Sequence, residues 1–175
     1  MRTRAQVMGH PLHPMLVMFP LALIPLALVF DIVYLVRQEA LWWTISFWML
    51  LSGVVGGVVA TIPGLIDYTT IGRDHPARRV ATQHMVSGFA LLALAAVSLF
   101  LRDFGQAPPS VNPWIPVVLL IGANAVAGLQ GYWGGELVYR HAVGVNPRVA
   151  GEEQTPAPGQ RAGPGTGFRP GGGMT

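Results

Sequence analysis

The chain has 175 residues, 51% of them hydrophobic and only 11% charged, with 11 arginines, no lysine, no cysteine and a formal net charge of +3. A water-soluble domain carries about 25% charged residues, so this composition argues against an ordinary soluble fold. The missing cysteines exclude a disulfide framework, thiolate ligands, a cysteine nucleophile and c-type haem attachment within this chain. The arginines gather at the ends of apolar stretches and form no continuous basic stripe, so no nucleic-acid partner is expected.

A bilayer core about 30 Å thick takes about 20 apolar residues in a helix. Four windows meet that length: 14–36, 41–66, 80–101 and 114–138, with Trp42, Trp43 and Trp114 near their ends, where an interfacial belt places aromatics. The predicted fold is all-α, an integral membrane four-helix bundle in a lipid bilayer. Arg2 and Arg4 precede the first window in the manner of a signal peptide. That window is longer than an h-region, is broken by Pro20 and Pro25, and lacks a small-residue cleavage site, so it is expected to remain as a span.

The second window carries Gly53 and Gly57 in a GxxxG arrangement continued by Thr61, and the fourth carries Ala123, Ala127, Gly131 and Gly135 at four-residue spacing. Small residues let helix backbones approach closely in lipid. These positions are therefore expected to be packing surfaces, within one bundle or between protomers. Asp31 and Asn124 are polar groups within spans, which usually face a bundle interior. Both are read as interhelical hydrogen-bond partners, with Ser52 and Ser98 at hand, and Asp31 alternatively as part of a proton or ion step. Asp31 is expected to lie too far from the histidines to share a site with them. Residues 1–148 form the expected transmembrane domain, and residues 149–175, rich in glycine and proline, a disordered tail.

Arg2, Arg4, Arg73, Arg78, Arg79, Arg140 and Arg148 flank one side of the four windows, and Arg37 and Arg102 the other. The positive-inside rule then puts both termini and the central loop in the cytoplasm. Crossing by crossing, His10, His13, His75, His84 and His141 all fall at that cytoplasmic side. Pro11 and Pro14 bias His10 and His13 toward extended backbone, outside regular helix, with Pro14 suited to a first helical position. Asp67 ends the second window, His84 sits about one turn into the third, and Glu136 and His141 bracket the end of the fourth.

Imidazole is the commonest metal ligand and near-neutral acid or base, and a carboxylate can orient a ligating imidazole through its second nitrogen. His13 and His84, with His10 or His141 as alternatives, are thus candidate ligands of a b-type haem or a transition metal. His10, His13, His84, Asp67 and Glu136 are the candidates for a metal site. No HExxH, ExxH or CxxC spacing marks such a site, and no catalytic residue is assigned. Structural readings stand beside these: His75 as a solvated loop residue, His141 as a complement to a helix carbonyl end, and Met8, Met15, Met18 and Met85 as packing residues in place of soft ligands.

The segments from His10 to Pro20 (His-Pro-Leu-His-Pro-Met-Leu-Val-Met-Phe-Pro), from Gly64 to Tyr68, around the lone His84, and from Gly134 to His141 together resemble the bacterial membrane proteins called domain of unknown function family 2231. The resemblance covers roughly residues 8–148. Met18 departs from it, since members often carry another histidine there, and Ala142 and Val143 replace a more usual glycine-containing turn. The resemblance implies a four-span bacterial membrane domain, sometimes joined to cytochrome-type or other redox modules, and no established activity.

Two classes of function follow. One is a redox module holding haem or a metal between helices. The other is a non-catalytic accessory or scaffold subunit, docking its glycine stripes on redox or other membrane-complex subunits or on a second copy. A metal-dependent hydrolase with Asp67 and Glu136 near an activated water is a weaker third. Nucleophile-elbow, phosphate-loop and dinucleotide fingerprints are absent, and no inverted repeat supports transport by this chain alone.

Overall fold

The computed structural model describes residues 4–145. The expected tail at 149–175, Arg2 and Arg148 lie outside them. A two-residue antiparallel ladder, β1 (Gln6–Val7) with β2 (His10–Pro11), leads into a short α1 (Leu12–Leu16). The long helices follow: α2 (Met18–Arg37), α3 (Ala40–Thr70), α4 (Ala77–Phe100) and α5 (Trp114–Tyr139). The protein thus has four helical stretches long and apolar enough to cross a membrane, Leu12–Arg37, Ala40–Thr70, Ala77–Phe100 and Trp114–Tyr139.

Proline chemistry sets the entry. Pro14 and Pro20 are the third residues of α1 and α2, where a missing N–H costs little because first-turn donors have no intrahelical partner. Pro20 cannot donate to the carbonyl of Leu16, and α1 stops there. His10 is extended, as expected, but His13 lies inside α1, contrary to the expectation from Pro14. Pro14 is the third helical residue and not the first.

The connections differ in length, with residues 38–39 between α2 and α3, 71–76 between α3 and α4, and 101–113 between α4 and α5. Gln38 adopts a left-handed φ of 55° and donates its N–H to the Tyr34 carbonyl at 2.8 Å, turning the chain directly into α3. Arg78 caps the carbonyl end of α3, with Nη1 donating to the carbonyls of Tyr68 and Ile71 at 3.0 and 2.8 Å. A cation there also complements the helix dipole. Between α4 and α5 a 3₁₀ turn, Asp103–Gly105, is tied to α3 by Thr44, whose hydroxyl donates to the Gly105 carbonyl at 2.8 Å.

The four long helices form a ring in which α2 packs on α3, α3 on α4, α4 on α5, and α5 closes back on α2. Ile24 and Ala27 of α2, Leu50 of α3, Leu91 and Ala95 of α4, and Leu120 and Ala123 of α5 fill its centre. Leu21, Ile32, Val55, Ile62, Val86, Phe89, Val118 and Ile121 point outward and stay exposed. Such a girdle is a liability in water and the expected surface in lipid, where hydrocarbon is as apolar as leucine.

Gly53 and Gly57 sit where neighbours close in. A Cβ on Gly53 would lie 2.9 Å from Ile24 Cγ1, and one on Gly57 would collide with the Leu92 side chain. The α5 stripe divides. Ala123 belongs to the core and Ala127 packs beside it, whereas a Cβ on Gly131 would meet nothing within 4 Å and one on Gly135 only its own helix's Tyr139. Each four-residue step advances about 40° around a helix of 3.6 residues per turn. Three steps therefore rotate the stripe out of the core.

Candidate functional site

The bundle carries polar side chains at its two ends. At one end His13 of α1 and His84 of α4 bring their rings together, 5.9 Å between centroids and at 87° to each other. His13 Nδ1 donates to the Ala60 carbonyl of α3 at 2.8 Å. Pro63, inside the same helix, has no N–H to offer the Val59 carbonyl next to Ala60. Gly64 supplies the room, since a Cβ would stand 2.8 Å from His13 Nδ1.

His84 is held by α5. Its Nδ1 donates to the Gln130 carbonyl at 3.1 Å, and the Gln130 side-chain amide lies 3.3 Å from its Nε2. Gly134 leaves space for the ring, with a would-be Cβ 3.2 Å from His84 Cε1. The Ser87 hydroxyl, one turn along α4, lies 2.9 Å from the His84 carbonyl and 2.5 Å from Gln130 Oε1. Because each Nδ1 faces a carbonyl, each carries the hydrogen. In the neutral rings the lone pair is on Nε2.

Of the remaining candidates, Asp67, Glu136 and His10 have partners of their own. Asp67 Oδ1 accepts the main-chain N–H groups of Arg4 and Ala5, both at 3.1 Å, and so fastens the N-terminal ladder to the end of α3. Glu136 pairs with Arg140 one turn along at 3.2 Å. His10 is exposed, with Nδ1 3.1 Å from the Met8 carbonyl, and His141 lies just past the end of α5. His75 is half-buried, its Nδ1 accepting the Ala77 N–H at 3.1 Å at the start of α4. Among the described residues no group of three or more histidine, aspartate or glutamate side chains converges as a metal site. The expected cluster is therefore reduced to the His13–His84 pair.

At the other end Asp31 and Arg102 form an ion pair without solvent access. Nη1 meets Oδ1 at 2.6 Å and Nη2 meets Oδ2 at 2.7 Å. Arg102 Nη1 also donates to Ser46 at 2.9 Å and Nη2 to Ser98 at 3.2 Å. The Ser98 hydroxyl donates to the Pro116 carbonyl at 2.7 Å. This network links α2, α3, α4 and α5. Asp31 lies about 27 Å along the helical rise from His13, too far to act with it. Of the two serines expected nearby, Ser98 takes part and Ser52 is exposed; Ser46 takes its place. Asn124 spends its amide on its own helix, donating to the Leu120 carbonyl at 2.8 Å.

Sequence reasoning missed Gln130, Arg102 and Ser46. Gln130 carried the same signal as Asn124, a carboxamide inside an apolar window. Arg102 sits at a window's edge and reads as a loop charge.

Residues 9–147 match the family model described as predicted membrane protein (DUF2231). The chain belongs to the DUF2231 family. The match takes in every side chain of both polar ends of this DUF2231 protein, from His10 to His141, and stops short of the glycine-rich extension. No curated protein and no solved structure matches the chain.

Proposed function

We propose that this DUF2231 protein is a redox module of a bacterial inner membrane, both termini cytoplasmic, in which His13 and His84 hold a transition-metal centre, either haem iron or a single ion. The observation that carries the reading is the pair of Nδ1–H···carbonyl bonds, to Ala60 at 2.8 Å and to Gln130 at 3.1 Å. That is how metal-bound imidazoles are oriented, leaving Nε2 as the donor atom.

The donor set fits one class of metal. Two neutral imidazoles suit iron, copper, zinc or nickel, whereas magnesium and calcium want oxygen ligands. Asp67 and Glu136, the acids foreseen nearby, are occupied by main-chain N–H groups and by Arg140. A bound iron or copper would supply one-electron transfer, with the apolar helices around it tuning its potential. The chain's own part is to fix both rings between helices and to keep their Nδ1 hydrogens on carbonyls.

The test is an absorption spectrum of the detergent-purified protein, oxidised and reduced, with elemental analysis of the same sample. Reduced b-type bands, or stoichiometric metal without them, support the reading, and His84→Ala should then remove either signal without affecting membrane insertion. Neither signal, in folded protein purified so as to retain cofactors, sinks it.

A second reading, an accessory subunit, is favoured by a different observation. Gly128 and Gly131 face open space and Gly135 nearly so. Spaced at i, i+3 and i+7, they lie on one side of α5 and would admit a helix from another membrane subunit or a second copy.

A further inference from the structure

We propose that the Gln130 side chain is a displaceable cap on the donor nitrogen of His84, making Gln130 a positioning residue that sets how readily the His13–His84 pair takes a metal; this rests on the metal-pair reading above. Gln130 meets His84 twice, and the two contacts oppose each other. Its main-chain carbonyl accepts from Nδ1 at 3.1 Å, which prepares Nε2 to bind metal. Its side-chain amide lies 3.3 Å from that same Nε2, where an N–H donates into the lone pair a metal needs.

The amide is oriented for this. Gln130 Oε1 lies 2.5 Å from the Ser87 hydroxyl, which turns the NH₂ toward His84. Gly88 keeps the place clear, since a Cβ there would come within 3.0 Å of Gln130 Nε2. His13 is unlike His84 in this respect. Its Nδ1 is fixed on the Ala60 carbonyl, and no carboxamide among the described residues covers its Nε2. One donor of the pair is open and the other is covered. A metal entering the site first meets His13 and gains His84 when the Gln130 amide rotates away.

Substituting Gln130 separates its two roles, because the main-chain carbonyl survives any side-chain change. The experiment titrates Cu(I), against a competing chelator under reducing conditions, and haemin in parallel, into detergent-purified wild-type, Gln130→Leu and His84→Ala proteins. Losing one neutral hydrogen bond should tighten binding to Gln130→Leu by roughly 2- to 10-fold, while His84→Ala loses it. Nitrogen NMR of the metal-free proteins gives a readout that a merely structural role would not move. In Gln130→Leu the His84 Nε2 signal should move toward that of an unbonded imidazole nitrogen, with the Nδ1 hydrogen still in place. Should Gln130→Leu fail to fold, Ser87→Ala frees the amide by removing its anchor and should tighten binding in the same direction.

Binding to Gln130→Leu that is equal to or weaker than wild type, with His84→Ala still abolishing it, overturns the cap and leaves the metal pair standing. Failure of wild-type, Gln130→Leu and Ser87→Ala proteins alike to bind either probe overturns both. Binding seen only once the cap is removed supports the cap and counts against a metal centre in the wild-type protein.

Discussion

Asp31 and Arg102, 71 positions apart in the chain, meet as a two-pronged ion pair with no solvent access at the end of the bundle away from the histidines. Removing one partner of a buried pair strands the other charge, at a cost of about 3–5 kcal/mol. Asp31→Ala should therefore lower the unfolding midpoint in detergent sharply, and Arg102→Ala likewise. The double variant Asp31→Leu with Arg102→Met should recover much of the loss, since neither charge is then left alone. A double variant no better than the singles would mean that Ser46 and Ser98 depend on the ions and that the network is indivisible.

Glycines in this protein are of two kinds, and alanine tells them apart. At Gly64 a new Cβ would stand 2.8 Å from His13 Nδ1, so the ring must leave the Ala60 carbonyl. At Gly131 nothing lies within 4 Å. Gly64→Ala should destabilise the protein by about 1–3 kcal/mol, as overpacking does, whereas Gly131→Ala should be neutral or stabilising by up to about 1 kcal/mol through helix propensity. Gly131→Leu goes further. If α5 receives a partner helix, it should abolish co-purification or dimer crosslinking while leaving the monomer's unfolding midpoint in place. Unchanged association would remove the main support for the accessory reading.

Asp67 holds the first described residues of the chain. Its Oδ1 takes two main-chain donors, from Arg4 and Ala5, and Ala5 in turn accepts the Leu12 N–H at 2.9 Å as α1 begins. Hydrogen bonds to a charged group contribute about 1.5–3 kcal/mol each at most, and less where water reaches them. Asp67→Ala should expose the Arg4–Ala5 segment to protease and speed its amide exchange, with the four spans intact. If it instead removed bound metal while leaving that segment protected, Asp67 would belong to the metal site after all.

What could be read from the sequence follows from what physics writes locally. Windows of apolar residues are local, and all four expected spans are there, with α3 extending to Thr70 because nothing after residue 66 breaks the helix until Ile71 turns extended. Gly53 and Gly57 could be read as candidates for close packing, but not which helices come against them, Ile24 of α2 at Gly53 and Leu92 of α4 at Gly57. Partnerships across helices were not. Arg102 reads as a loop charge until α4 is seen to end at Phe100 and the chain to fold its guanidinium back toward Asp31. Asp67 and Glu136 were drawn toward the histidines by depth alone. Equal depth does not give equal azimuth, and each found a nearer partner.

The loop between α4 and α5 should respond to acid through one carboxylate. Asp103 and Phe104 hold left-handed φ values of 47° and 53°, a conformation costing roughly 1–2 kcal/mol per residue outside glycine. The strained turn is steadied by the Ser110 main-chain N–H, which donates to Asp103 Oδ2 at 2.6 Å. That bond, with a second from the Ser110 hydroxyl, holds the Asp103 carboxyl below its ordinary range. When the loop opens, the carboxylate regains its ordinary affinity for protons, so the open form binds protons first as pH falls. The contribution of the cap is complete above the ordinary aspartate range and disappears as pH drops through the depressed value. In NMR spectra of the detergent-solubilised protein, the Ser110 amide signal should titrate with a midpoint below that of an unstructured aspartate, and Asp103→Asn should remove the transition. A midpoint at or above the ordinary value would show that the carboxylate does not restrain this turn.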